Sequence, residues 1–98
     1  MQLCLDPMDE ERTVTQLSAL AQPTRLAIFR AIAANIDGLS STQVAEETGT
    51  MPTNTSVHLS VLRQAGLVSS TKEGRTVTYR AQPSAIRDLA ATLRSIVD

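Results

Sequence analysis

A chain of 98 residues with 42% hydrophobic and 19% charged residues has the size and composition of one soluble globular domain, here taken as residues 1–98. A net charge of −1 argues against a generic nucleic-acid coat, and the single cysteine, Cys4, excludes an internal disulfide. One histidine, His58, excludes a Cys/His metal cluster within one chain, so neither metal nor cofactor is expected.

The N-terminal "MQLCLDPMDEER" is acidic, with too short an apolar segment for a signal peptide. No apolar run approaches the roughly 20 residues of a membrane span, so no membrane partner and a cytoplasmic location are expected. Asp6-Pro7 has the form of an N-cap followed by proline at the first helical position. Val14, Leu17 and Leu20 follow at helical spacing, which predicts a first helix over about 7–20. Pro23 opens a second, with a broad apolar stripe of Leu26, Ile28, Phe29, Ile32, Ala33 and Ile36 before Asp37-Gly38. So wide a stripe suits a central helix.

In "LSSTQVAEETG", Ser40 with Gln43 three residues later fits a capping box, and Gly49 supplies the stop of a short third helix. The fourth runs from Pro52 to Ala65 and ends at Gly66. Only Thr50, Met51 and Pro52 separate the two, with Gly49 at the turn, so this is a helix-turn-helix. From Leu67 to Ala81, "LVSSTKEGRTVTYRA" takes up the strand period of two, with Val77 and Tyr79 on one face and Thr76, Thr78 and Arg80 on the other. Glu73-Gly74 makes a hairpin turn, and Lys72 and Arg75 sit at its tip. A last helix over 84–97 resumes helical spacing with Ile86, Leu89, Ala90, Leu93, Ile96 and Val97. The predicted fold is mainly α with a small β-hairpin, in the order α-α-α-α-β-β-α, a winged helix-turn-helix.

Charge is distributed unevenly along this order. Residues 1–50 hold seven acids against Arg12, Arg25 and Arg30, whereas residues 51–80 hold Arg63, Lys72, Arg75 and Arg80 against Glu73. The basic stretch therefore coincides with the fourth helix and the hairpin. At 100° per residue, Thr55, His58, Leu59, Leu62, Ala65 and Gly66 share one side of that helix. Thr53, Ser56, Val57, Ser60 and Gln64 lie opposite, with Arg63 at the edge and Asn54 near the start. A merely solvated face is usually rich in Lys and Glu, which this one lacks. Short hydroxyls let a helix backbone approach DNA closely, and they offer donors and acceptors to phosphates and base edges. Val57 is either a contact to a thymine methyl or a single exposed valine. His58 is read as a core-edge histidine, and with no partnered carboxylates, phosphate loop or nucleophilic set, an enzyme is not expected.

"ALAQPTRLAIFRAI", "STQVAEETG", "TSVHLSVLRQAGLV" and "KEGRTVTYRA" together resemble the ArsR/SmtB family of bacterial winged-helix repressors, from about Leu17 to Ala81. The resemblance implies a homodimer that binds double-stranded DNA at an imperfectly palindromic operator and is released by an inducer. Carried onto this chain, it implies that Ser56, Val57, Ser60 and Arg63 face DNA, with Thr42 and Gln43 near phosphates and Lys72 and Arg75 as wing contacts. It also implies dimerisation through the terminal helices, which here offer Val14, Leu17, Leu20, Ile86, Leu89, Ala90, Leu93, Ile96 and Val97.

The departures from the family are informative. Where many members carry a Cys-x-Cys block at the third helix, this chain has "LSSTQVAE", its last helix has Asp88 but no histidine, and it finishes "RSIVD". Metal sensing is therefore not inherited with the resemblance. Cys4 remains a candidate redox site, with two copies in a dimer able to pair, although Asp6 opposes a depressed thiol pKa. The alternatives are thus a thiol-responsive repressor and a winged-helix protein-interaction module that does not bind DNA.

Overall fold

A computed structural model describes residues 7–98, and Cys4 and Asp6 lie outside them. Four helices begin with proline, whose fixed φ suits the first helical position and whose missing N–H costs nothing there. They are α1 (Pro7–Leu20), α2 (Pro23–Ala33), α4 (Pro52–Gln64) and α5 (Pro83–Val97); α3 (Ser41–Thr48) starts from a serine cap instead. The strands are β1 (Leu39–Ser40), β2 (Val68–Glu73) and β3 (Thr76–Ala81).

The corner between α1 and α2 is fastened by its polar side chains. Gln22 caps α2, its Oε1 accepting from the Arg25 backbone N–H at 2.7 Å. Arg25 turns back to donate from Nε to the Ala19 carbonyl at 2.8 Å and from Nη2 to Ser18 at 3.4 Å, satisfying carbonyls at the end of α1.

The predicted run of α2 to Ile36 stops at Ala33. Asn35 donates from Nδ2 to the Ala31 carbonyl at 2.7 Å and accepts from the Gly38 N–H at 2.8 Å, winding the chain into a turn that leaves Ile36 91% exposed. The turn delivers a third strand that the predicted order lacked. Leu39 and Ser40 pair antiparallel with Tyr79 and Thr78, so the hairpin becomes a three-stranded sheet in the order β1-β3-β2. Ser40 is at once a strand residue and the cap of α3.

α2 lies at the centre, as its stripe predicts. Ile28, Phe29 and Ile32 join Ala19, Leu39, Val44, Leu59, Leu62, Ala65, Leu67 and Val68 in one buried cluster, with Tyr79, Ala81 and Ile86 packed against it. The core is aliphatic apart from Phe29 and the flank of Tyr79, which fixes α3, α4 and the sheet around one helix.

Candidate nucleic-acid interface

The helix-turn-helix is held at each of its corners. At the start of α3 the capping box is complete: the Gln43 N–H donates to Ser40 Oγ at 3.2 Å, and Gln43 Oε1 accepts from the Ser40 N–H at 2.9 Å. Gly49 closes α3 at φ +70°, with its N–H and that of Thr50 both donating to the Ala45 carbonyl. α4 ends in a Schellman motif. The Gly66 N–H donates to Arg63, the Leu67 N–H donates to Leu62, and Gly66 takes φ +78°. Leu62 and Leu67 are both fully buried, which is the apolar contact that accompanies this motif and turns the chain directly into β2.

α4 divides by face as its spacing predicts. Thr55, Leu59, Leu62 and Ala65 are buried, and Thr55 Oγ1 donates to the Met51 carbonyl at 3.0 Å, so an inward hydroxyl is satisfied within its own helix. Thr53, Asn54, Ser56, Val57, Arg63 and Gln64 are exposed and Ser60 is half-buried. Val57 shows 61% of its surface, and Ser56 Oγ reaches back to the Pro52 carbonyl at 3.3 Å. His58 is half-buried at the edge of the packed side, and its Nδ1 is the buried side-chain polar atom without a hydrogen-bond partner among the described residues. Gly66 departs from the predicted packed side: it is exposed in the turn. Met51, directly before α4, is an exposed thioether that the sequence pattern did not mark, because it lies outside the helical period.

Thr42 and Gln43 are exposed in the first turn of α3. Because Gln43 Oε1 is engaged by the capping box, only its Nε2 group remains as a donor toward anything outside. In the wing, Val68 pairs with Ala81 at one end and Glu73 with Thr76 at the other, leaving Gly74 and Arg75 as the turn. Gly74 takes φ +64° and Arg75 a negative φ, the pattern of a type II′ hairpin. The Glu73 carboxylate accepts from Thr78 Oγ1 at 3.1 Å and lies 4.0 Å from Arg80 Nη2. Lys72 and Arg75 are exposed at the tip and enter no ion pair among the described residues.

The terminal helices split their apolar residues between two directions. Val14 and Leu17 of α1, and Ala90, Leu93, Ile96 and Val97 of α5, are exposed. Leu20, Ile86 and Leu89 are drawn inward instead: Leu20 and Ile86 pack against the core and Leu89 is 7% exposed. The stripe is wider than one contact surface, so its inner edge serves the chain's own domain. Among the described residues no three His, Cys, Asp or Glu side chains are grouped to hold a metal ion, and no helix is long and apolar enough to cross a membrane.

Residues 20–71 match the helix-turn-helix domain family. The chain is 40% identical over 80 residues to the HTH-type transcriptional regulator CmtR of Mycobacterium tuberculosis, covering 81% of this chain and 65% of that protein, so it spans a little under two thirds of that relative's length. Among solved structures it is similar to an ArsR-like transcriptional regulator from Rhodococcus sp. RHA1, with a TM-score of 0.82 and 28% identity over 89% of this chain and 80% of that one. It is also similar to the homodimeric winged helix-turn-helix DNA-binding domain of a possible ArsR-family transcriptional regulator from Mycobacterium bovis, with a TM-score of 0.74 and 25% identity over 98% and 90% of the two chains.

Proposed function

The chain belongs to the ArsR family of winged helix-turn-helix regulators and is a DNA-binding transcriptional regulator, and from that premise we propose that it works as a homodimeric repressor of a pseudo-palindromic operator. The observation that carries the reading is the exposed face of α4. Thr53, Ser56, Val57 and Ser60 form a short-side-chain surface free of Lys and Glu on a helix whose other side is locked in the core.

In this reading α4 enters the major groove, with Ser56 and Ser60 bonding base edges and Val57 meeting a thymine methyl. Asn54 and Thr53 act at the helix start, and Arg63 reaches the backbone at its far end. Thr42 and the Nε2 group of Gln43 hold phosphate, and Lys72 and Arg75 carry the wing onto the backbone or minor groove. Val14, Leu17, Ala90, Leu93, Ile96 and Val97 form the contact between protomers, with Leu20, Ile86 and Leu89 bracing it from inside. The homodimeric state of the Mycobacterium bovis domain supports a homodimer here. Two α4 helices then read half-sites about 34–36 Å apart. The reading needs no metal, and it places the protein in the cytoplasm.

The test is electrophoretic mobility shift with DNA upstream of the protein's own gene, in rising salt and with competitor DNA. A competitor-resistant shift that weakens steeply with salt is expected. Binding that is indifferent to sequence would overturn the operator reading.

A further inference from the structure

The end of α4 takes one of its caps from another helix. The turn after α4 uses the carbonyls of Leu62 and Arg63, which accept from the Leu67 and Gly66 N–H groups, and the Val61 carbonyl accepts from the Ala65 N–H. The Ala65 carbonyl lies beyond that set, and Gln16 Nε2 of α1 donates to it at 3.2 Å. Gln16 is 4% exposed and Ala65 5%, so the bond is buried, and its two partners stand 49 positions apart in the chain.

This bond also holds α1. Toward the C-terminal end of that helix, Ala19 lies in the core, Leu20 packs against it, and Arg25 donates to the carbonyls of Ser18 and Ala19. Positions 10–15 are exposed except for Thr13, which is half-buried. Gln16 is thus the first buried residue of α1 after position 9, nearly one turn before Ala19. A helix pinned only at its last turn is free to swing about that end. A second buried hold one turn earlier, on α4, fixes its direction against the recognition helix.

The two sides of α1 therefore face different partners. At 100° per residue, Gln16 lies about 160° around the helix from Val14 and about 100° from Leu17. Val14 and Leu17 are the exposed apolar residues of α1 assigned above to the contact between protomers. In a two-fold dimer the partner repeats any tilt of α4 against α1, so an error in one protomer appears twice between the two α4 helices. The tolerance is small, because one base pair of spacing amounts to about 3.4 Å of rise and about 35° of rotation along the duplex.

We propose that Gln16 is a positioning residue for operator recognition. By capping the end of α4 from the back of the dimer-contact helix, it sets the pose of each recognition helix relative to the partner's, and with it the half-site spacing that the dimer accepts. The proposal rests on the homodimer and operator reading above.

The test compares the full chain with Gln16→Leu, which removes the donor, and with Ile28→Val, a small loss in the core away from the bond. Circular dichroism confirms that each is folded, and Gln16→Met, unbranched and without a donor, takes the place of a Gln16→Leu chain that does not fold. In the first arm, nitroxide labels are carried at Val57→Cys in a Cys4→Ser background, and the distance between protomers is measured without DNA by pulsed electron resonance. Expected is one narrow distribution for the parent and for Ile28→Val, and a shift or broadening of about 3.4 Å or more, one base-pair rise, for Gln16→Leu. In the second arm, half-sites selected from a random DNA pool are bound at the preferred spacing and with one base pair inserted or removed. The parent and Ile28→Val should prefer the selected spacing by about tenfold or more, and Gln16→Leu by about threefold or less. A merely structural role would lower the affinity of Gln16→Leu for all three spacings alike. A folded, dimeric Gln16→Leu that keeps either the parent distance or the parent spacing preference overturns the proposal, as does an Ile28→Val that loses them equally. A parent without preferred half-sites counts against the operator reading, while the distances still decide whether Gln16 sets the pose of α4. A monomeric parent removes the homodimer reading and this proposal with it.

Discussion

Gln16 on the first helix donates its side-chain N–H to the backbone carbonyl of Ala65, the last residue before the α4 turn, at 3.2 Å and with both residues buried. Ala65 sits at a helix terminus, where carbonyls have no partner further along the helix. Replacing Gln16 with Leu keeps the volume but leaves that carbonyl unpaired in the interior. A loss of about 1–3 kcal/mol is expected from urea unfolding, with helical content unchanged by circular dichroism. A neutral Gln16→Leu would mean that the bond does not hold α1 to α4.

Gly38 is the second joint. Its φ is +85°, and a Cβ there would lie 2.6 Å from Thr78 Cγ2 and 2.8 Å from the Tyr79 carbonyl. An alanine meets both the left-handed backbone, at about 1–3 kcal/mol, and the side chains of Thr78 and Arg80 beside the Tyr79 carbonyl, a backbone atom that cannot swing aside. Gly38→Ala should therefore lower the thermal midpoint more than Gly74→Ala, where a Cβ meets nothing within 4 Å. Equal losses in the two variants would remove the close approach as the cause.

These two joints show where the sequence was legible. Prolines, the Ser40–Gln43 capping box and Gly49 and Gly66 are local signals, each acting within a few residues, and they located all five helices. β1 has two residues, too few for an alternation to register, and its pairing with β3 spans nearly forty positions of chain. The end of α2 was misread because Ile36 continues the apolar period, although the Asn35 turn throws it into solvent. Gln16 gives no pattern at all: a glutamine among acidic and hydroxyl residues reads as surface, and only the packing of α4 against α1 makes it a buried donor. The outer face of α4 was legible, since Thr55 and the leucines fix its rotation.

The division of the apolar stripe leads to opposite outcomes for neighbouring residues of α5. Leu89 is enclosed by its own protomer, so Leu89→Ala should cost about 2–5 kcal/mol in unfolding. Ile96 is 63% exposed, and Ile96→Glu, alone or with Leu93→Glu, should leave the fold intact while sedimentation shifts from dimer to monomer. A glutamate pair that sediments as a dimer would place the contact elsewhere.

The wing and the outer face of α4 should differ in what they do to DNA binding. Arg75 lies at the hairpin tip without an ion pair among the described residues, and in a dimer two copies reach the backbone. Arg75→Ala should weaken binding to every sequence and reduce the slope of log affinity against log salt by about 1 per half-site. Val57 has no charge to contribute. Val57→Ala removes two methylene-sized groups, at about 0.8 kcal/mol each, from whatever apolar atom they meet. If that atom is a thymine methyl, selection from a random DNA pool should show preference falling roughly tenfold at one position in each half-site, with the salt slope unchanged. A Val57→Ala protein with the same selected sequence would reduce this residue to an exposed valine. Specificity would then rest on the hydroxyls of Thr53, Ser56 and Ser60, where substitution by alanine moves the same measurement.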